Sequence, residues 1–91
     1  MVEMAHKAKL PCVPHSSNLS MVTLFALHLM GAIPNAGAHV EYTIEDDPWT
    51  HELYEPVLKV RDGKVAIPNG PGWGVTINKK WLEGAKHQVS E

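Results

Sequence analysis

Cysteine is almost missing from this chain. Cys12 is the only one in 91 residues, so no internal disulfide can form. A chain without disulfides suits a reducing compartment, and a cytoplasmic location is expected. A basic excess is missing too: eight Lys and Arg stand against ten Asp and Glu, for a net charge of −2, with the two signs interspersed. Nucleic acid or an anionic membrane would need a basic face, so neither is expected as a partner. No charged, then apolar, then small-residue opening resembles a secretory leader. The longest apolar stretch, Leu19 to Ile33, is interrupted by Ser20, Thr23 and His28 and is too short to span a bilayer. No pair of His or acidic residues has zinc spacing, and Glu45-Asp46-Asp47 reads as a solvated loop and not as a magnesium site, so no metal site is expected within the chain. Repeats and low-complexity segments are absent.

What remains is globular in composition, 44% hydrophobic and 20% charged. A chain this short has room for one core and buries only about 60–65% of its unfolded surface. Met1 to Lys9 carries helix formers, and Pro11 sets a boundary before a short strand, Cys12 to Pro14. Leu19 to Ile33 is apolar on almost every helical face and predicts a helix buried on most sides, with Asn18 or Ser20 as cap and Gly31 with Pro34-Asn35-Ala36-Gly37 as its end. A second strand, His39 to Thr43, follows. Beyond it the alternation loosens into a helical turn near Trp49 to Tyr54. A hairpin then pairs Val57–Val60 with Lys64–Ile67 across Asp62-Gly63. Pro68 to Gly74 is a loop. Its glycines could suggest a phosphate cradle, but its prolines and the lack of a following Lys-Ser/Thr argue for a structural turn. Asn78 then caps a final helix, Lys79 to about Gln88.

The chemistry concentrates at two strand ends. His15 follows Cys12-Val13-Pro14 and precedes an apolar helix, and Glu41 lies on the next strand. Strand ends leading into helices are where α/β proteins keep their reactive groups. Imidazole alone titrates near neutral pH without help and can both take and return a proton. Two readings of His15 stand side by side: an acid/base, or a turn histidine held by Ser16 or Ser17. Glu41 likewise reads as a functional carboxylate or as an ordinary exposed strand residue. His28 reads as a satisfied core or interface residue, His39 as a strand-entry residue, and Trp73 as a packing residue.

Six features in order resemble the carboxy-terminal end of the mandelate racemase and muconate lactonizing enzyme family of the enolase superfamily. They are Leu10 to His15, the apolar helix with His28, Val40-Glu41-Tyr42, Tyr54-Glu55-Pro56, Asp62-Gly63 and Pro71-Gly72-Trp73-Gly74-Val75. The resemblance implies an α/β fragment of a (β/α) barrel: the end of its sixth helix, its last two strands and the helix between them, then a β-hairpin and a C-terminal helix. Residues 1–44 would be the C-terminal βα units of the barrel, and 45–91 a tail that returns to the family's capping domain. It further implies that His15 abstracts or returns a proton α to a carboxylate, and that Glu41, with a raised pKa, shares a hydrogen bond with the substrate carboxylate. Ser17 and Asn18 would contact substrate. The Ser- and Asn-rich segment after His15 looks closer to acid-sugar dehydratases than to racemases proper.

The same resemblance implies Mg²⁺ in a complete enzyme, held by residues outside this chain, together with a lysine base and an orienting aspartate on strands that this chain does not contain. The 91 residues, roughly a quarter of such an enzyme, are therefore expected to be inactive alone. The substrate would be an acid sugar or another carboxylate. Three function classes stay open: a piece of a Mg²⁺-dependent acid-sugar dehydratase, a piece of a racemase or cycloisomerase of the same superfamily, and a stand-alone module without enzymatic activity. Unpaired strand edges and the apolar helix predict homo-oligomers or a domain swap.

Overall fold

The fold is seen in a computed structural model that describes residues 1–45 and 47–90. Helix α1 spans Val2–Lys7, two residues short of the expected Lys9. It stops because Lys9 takes a left-handed conformation (φ 58°). The Leu10 N–H then bonds back to Ala5 O and the Lys9 N–H to His6 O, a paired closure that usually recruits glycine. The chain turns at once into the first extended segment, where Cys12 forms a parallel bridge with Ala36. Its N–H donates to Asn35 O at 2.8 Å, and the Gly37 N–H donates to Cys12 O at 3.1 Å. The Asn35 side-chain amide donates to Leu10 O and Val2 O, which ties α1 to this junction.

The two expected strands, Cys12–Pro14 and His39–Thr43, do not become regular ladders: among the described residues the first carries one bridge, and its partner Ala36 lies before the expected second strand, which forms none. The next donor a parallel ladder needs on the first segment would be the N–H of residue 14, and Pro14 has none. The segments nevertheless run side by side in the same direction, as barrel neighbours do.

Helix α2, Met21–Ala32, begins where Ser20 Oγ accepts the Val22 N–H and Asn18 Oδ1 accepts the Ser20 N–H. It runs through Gly31 and ends at Ala32, just before Pro34, within the expected end, and the Ile67 side chain lies where a Cβ on Gly31 would reach it at 2.7 Å. The helix is not buried on most sides. Thr23, Leu24, Ala26 and Leu27 are buried, whereas Val22, Phe25 and Leu29 remain exposed, because only the segment around Ile67 and Trp73 reaches that side. There Phe25 and Trp73 rings meet at 4.5 Å, and His28 Nε2 bonds to Trp73 O at 2.7 Å, the satisfied interface role expected of His28 and the packing role expected of Trp73.

The tail holds a 3₁₀ turn, Pro48–His51, and two small antiparallel sheets. Strand β1 (Tyr54–Glu55) pairs with β4 (Thr76–Ile77), a long-range pairing not anticipated from sequence. Strand β2 (Val60–Arg61) pairs with β3 (Lys64–Val65) through Asp62 (φ 52°) and Gly63 (φ 71°), the two positive φ angles of the expected tight turn. Asn78 caps α3, which spans Lys79–Glu83 and ends five residues before the expected Gln88. The Asn78 side chain also donates to Glu52 O, holding α3 to the turn before β1. Leu53 and Tyr54 complete the small core with Leu24, Ala26 and Leu27.

A compact chain of 10.0 kDa should expose about 5,200 Å² and have a radius of gyration of about 12 Å. This one exposes 7263 Å² and has a radius of 15.1 Å. The excess, about 2,000 Å², is the size of a full protein interface. An open groove of about 840 Å³ beside the β2–β3 hairpin adds to it. In sedimentation at micromolar concentration the isolated chain should therefore run as dimers or larger species, with Phe25 and Leu29 shielded; a compact monomer with cooperative melting would contradict this.

Candidate active site

His15 stands three positions beyond Cys12 and Glu41 five beyond Ala36, both odd steps from the bridge, so both side chains emerge on the same side of the paired segments. They meet there. His15 Nδ1 lies 2.6 Å from Glu41 Oε2, and the Ser16 backbone N–H donates to the same oxygen at 3.1 Å. The next residue, Tyr42, lines a cavity of about 40 Å³ with Leu19, Thr50, His51, Tyr54, Val57 and Leu58. Burial pushes the phenols of both Tyr42 and Tyr54 to higher pKa, which keeps them neutral anchors.

The pair itself is open to water, with 77% of the His15 side chain and 49% of the Glu41 side chain exposed. The expectation of a shielded Glu41 with a raised pKa is therefore corrected. The Ser16 N–H, and after it the His15 ring, hold the carboxyl below its ordinary range. Both favour the charged form, and too little apolar cover opposes them. An ionised Glu41 can only accept a hydrogen bond, so in the neutral form of the His15 ring the proton of this contact sits on Nδ1. Among the described residues Nε2 has no partner, so its lone pair is free to act as a base; once it takes a proton, the carboxylate stabilises the imidazolium.

Ser17, beside His15, is exposed. Asn18 spends its side-chain oxygen on the Ser20 N–H and its carbonyl on the Thr23 hydroxyl, which leaves Nδ2 for other uses. The richness of this segment in Ser and Asn thus has a local cause, the start of α2. His39 is exposed and does not join the pair. Among the described residues no three His, Cys, Asp or Glu side chains gather as a metal site, so a magnesium ion does not fit the residues present. Asp46 of the acidic run lies outside the described residues. Sequence reading named Ser16 only as a residue that could hold a turn histidine, and Thr23 only as an interruption of the apolar stretch. The backbone N–H that Ser16 presents to Glu41 leaves no trace in residue type.

Residues 1–81 match the enolase C-terminal domain-like family. The chain belongs to that family. This enolase-type chain is similar in structure to a candidate racemase from Roseobacter denitrificans, at 45% identity and a TM-score of 0.85, over 99% of this chain and 26% of that one. It also shares its fold with an enolase of the mandelate racemase subgroup from Agrobacterium tumefaciens, solved with a succinimide residue, sodium and phosphate. That match has 24% identity and a TM-score of 0.73, over 90% of this chain and 22% of that one. The enolase-type chain spans about a quarter of the length of these solved relatives. No curated protein matches it. No helix among the described residues is long and apolar enough to cross a membrane.

The depressed pKa of Glu41 sets the sign of its pH dependence. The stability it contributes is present above the ordinary glutamate range and is lost as pH falls through the lowered folded-state value. A carbon-13 titration of the Glu41 carboxyl should give a midpoint below the ordinary value of about 4.3. A midpoint at or above it would remove the Ser16 and His15 contacts from the solution structure.

Proposed function

We propose that this chain supplies one face of an active site that moves a proton at the carbon α to a carboxylate, with His15 as the acid/base. The observation that carries the reading is the contact between His15 Nδ1 and Glu41 Oε2, which leaves Nε2 as the reactive nitrogen. In the base direction, Nε2 takes the Cα proton, and the electron pair left on carbon delocalises into the substrate carboxylate. In the acid direction, the imidazolium returns a proton to carbon or delivers one to a leaving hydroxyl.

Glu41 sits beside this nitrogen with Oε1 outside both of its contacts. It reaches a substrate carboxylate as a donor only after taking a proton, and the His15 ring at 2.6 Å is the nearest source. Ser17 and the Nδ2 of Asn18 are the polar groups we assign to substrate contact. Residues 1–44 carry this site, as the terminal βα units of a barrel, and 45–91 form the tail packed over α2. Family membership favours Mg²⁺ in a complete enzyme; because the residues present do not form its site, no step here runs through it. The substrate class is an acid sugar or a related carboxylate, and the compartment is the cytoplasm.

Two outcomes of the same proton transfer remain distinct. Dehydration removes the α proton and expels a β-hydroxyl as water, leaving an enol that becomes a ketone. Racemisation returns the proton to the opposite face without loss of water, and the name of the Roseobacter denitrificans relative supports that reading. In the complete enzyme that contains this segment, His15→Asn should lower proton exchange at Cα by at least about 10²-fold and leave Mg²⁺ affinity unchanged. Carbonyl formation in deuterated water would identify dehydration, and deuterium in an inverted product racemisation. Unchanged exchange, or a collapse of metal affinity, would overturn the role of His15.

A further inference from the structure

We propose that Thr23 is a positioning residue for the His15–Glu41 pair, acting through the hydroxyl of Ser16. The inference deepens the reading of His15 and Glu41 as a reactive unit and starts from a mismatch in that unit. A contact between two side chains as exposed as these is weakened by water and screened by salt, and cannot on its own hold an imidazole in one orientation. The order has to come from the buried side.

That side is the first turn and a half of α2. Thr23 is 0% exposed and Ser16 is 2% exposed, the two most buried polar side chains among the described residues. Their hydroxyls contact each other, and Thr23 Oγ1 also donates to Asn18 O. The Ser16 hydroxyl lies 3.5 Å from the same carbonyl. A buried hydroxyl without a partner is costly, so this three-way arrangement has few alternatives. It fixes residues 16–18 against the helix and thereby aims the Ser16 N–H at Glu41 Oε2. The carboxylate, held on one side by that N–H, presents its oxygen to His15 Nδ1 on the other. The helix thus sets the imidazole through one backbone donor, without touching it.

The test is a titration of the Glu41 carboxyl by carbon-13 resonance in the 91-residue chain, with far-ultraviolet circular dichroism to check folding. In Thr23→Val, which keeps the shape and removes the hydroxyl, the Glu41 midpoint should shift upward toward the ordinary glutamate value, and exchange of the Ser16 amide should quicken. Ser16→Ala removes the other half of the pair while leaving Thr23 its bond to Asn18 O, and should give the same upward shift. It decides the matter if Thr23→Val fails to fold. Thr23→Ser should restore the wild-type midpoint. A folded Thr23→Val or Ser16→Ala with an unshifted midpoint overturns the proposal, and so does a Thr23→Ser shift as large as that of Thr23→Val, which would assign the effect to packing. None of these readouts needs catalysis. A failure of His15→Asn to slow proton exchange would remove the reaction and leave this linkage standing.

Discussion

One parallel bridge, Cys12 to Ala36, brings the two halves of the site into register. Among the described residues it is the only regular backbone pairing between the segments that carry His15 and Glu41. Pro14 ends it after a single repeat by withholding the next donor. Past that point the segments are free of ladder geometry, and side-chain and backbone donors take over: Ser16 N–H and His15 Nδ1 converge on one oxygen of Glu41. The constraint is local, but α2 extends its reach. Its buried face carries the Thr23 hydroxyl that anchors Ser16, and its outer face carries the Phe25 and His28 contacts that hold the tail through Trp73.

Much of this was legible from residue types wherever the cause was local. Asp62-Gly63 supplies two positive φ angles, Ser20 and Asn78 supply capping oxygens, and the strand-end placement of His15 and Glu41 puts them on one side of the paired segments. The unread parts depend on distant atoms. Lys9 adopts a conformation usually left to glycine, so the end of α1 carried no marker. The pairing of Tyr54 with Ile77 joins segments with weak strand character. The pKa direction of Glu41 follows from a backbone N–H and an open surface, neither of which residue identity encodes.

Helix α2 also explains why the chain is apolar beyond what its own core uses. Leu24 and Leu27 face inward, while Val22, Phe25 and Leu29 face outward with little to cover them. In a barrel such a helix is covered by neighbours, and the chain spans about a quarter of its solved relatives. The surface excess lies where adjoining strands and helices of a barrel would pack.

His15 is held through Nδ1, with Nε2 left to act. Nitrogen-15 shifts of the His15 ring, recorded above its titration range where the ring is neutral, read this directly. A proton on Nδ1 and a bare Nε2 is the predicted result, and a ring protonated on Nε2 or averaging equally between the two forms would contradict it.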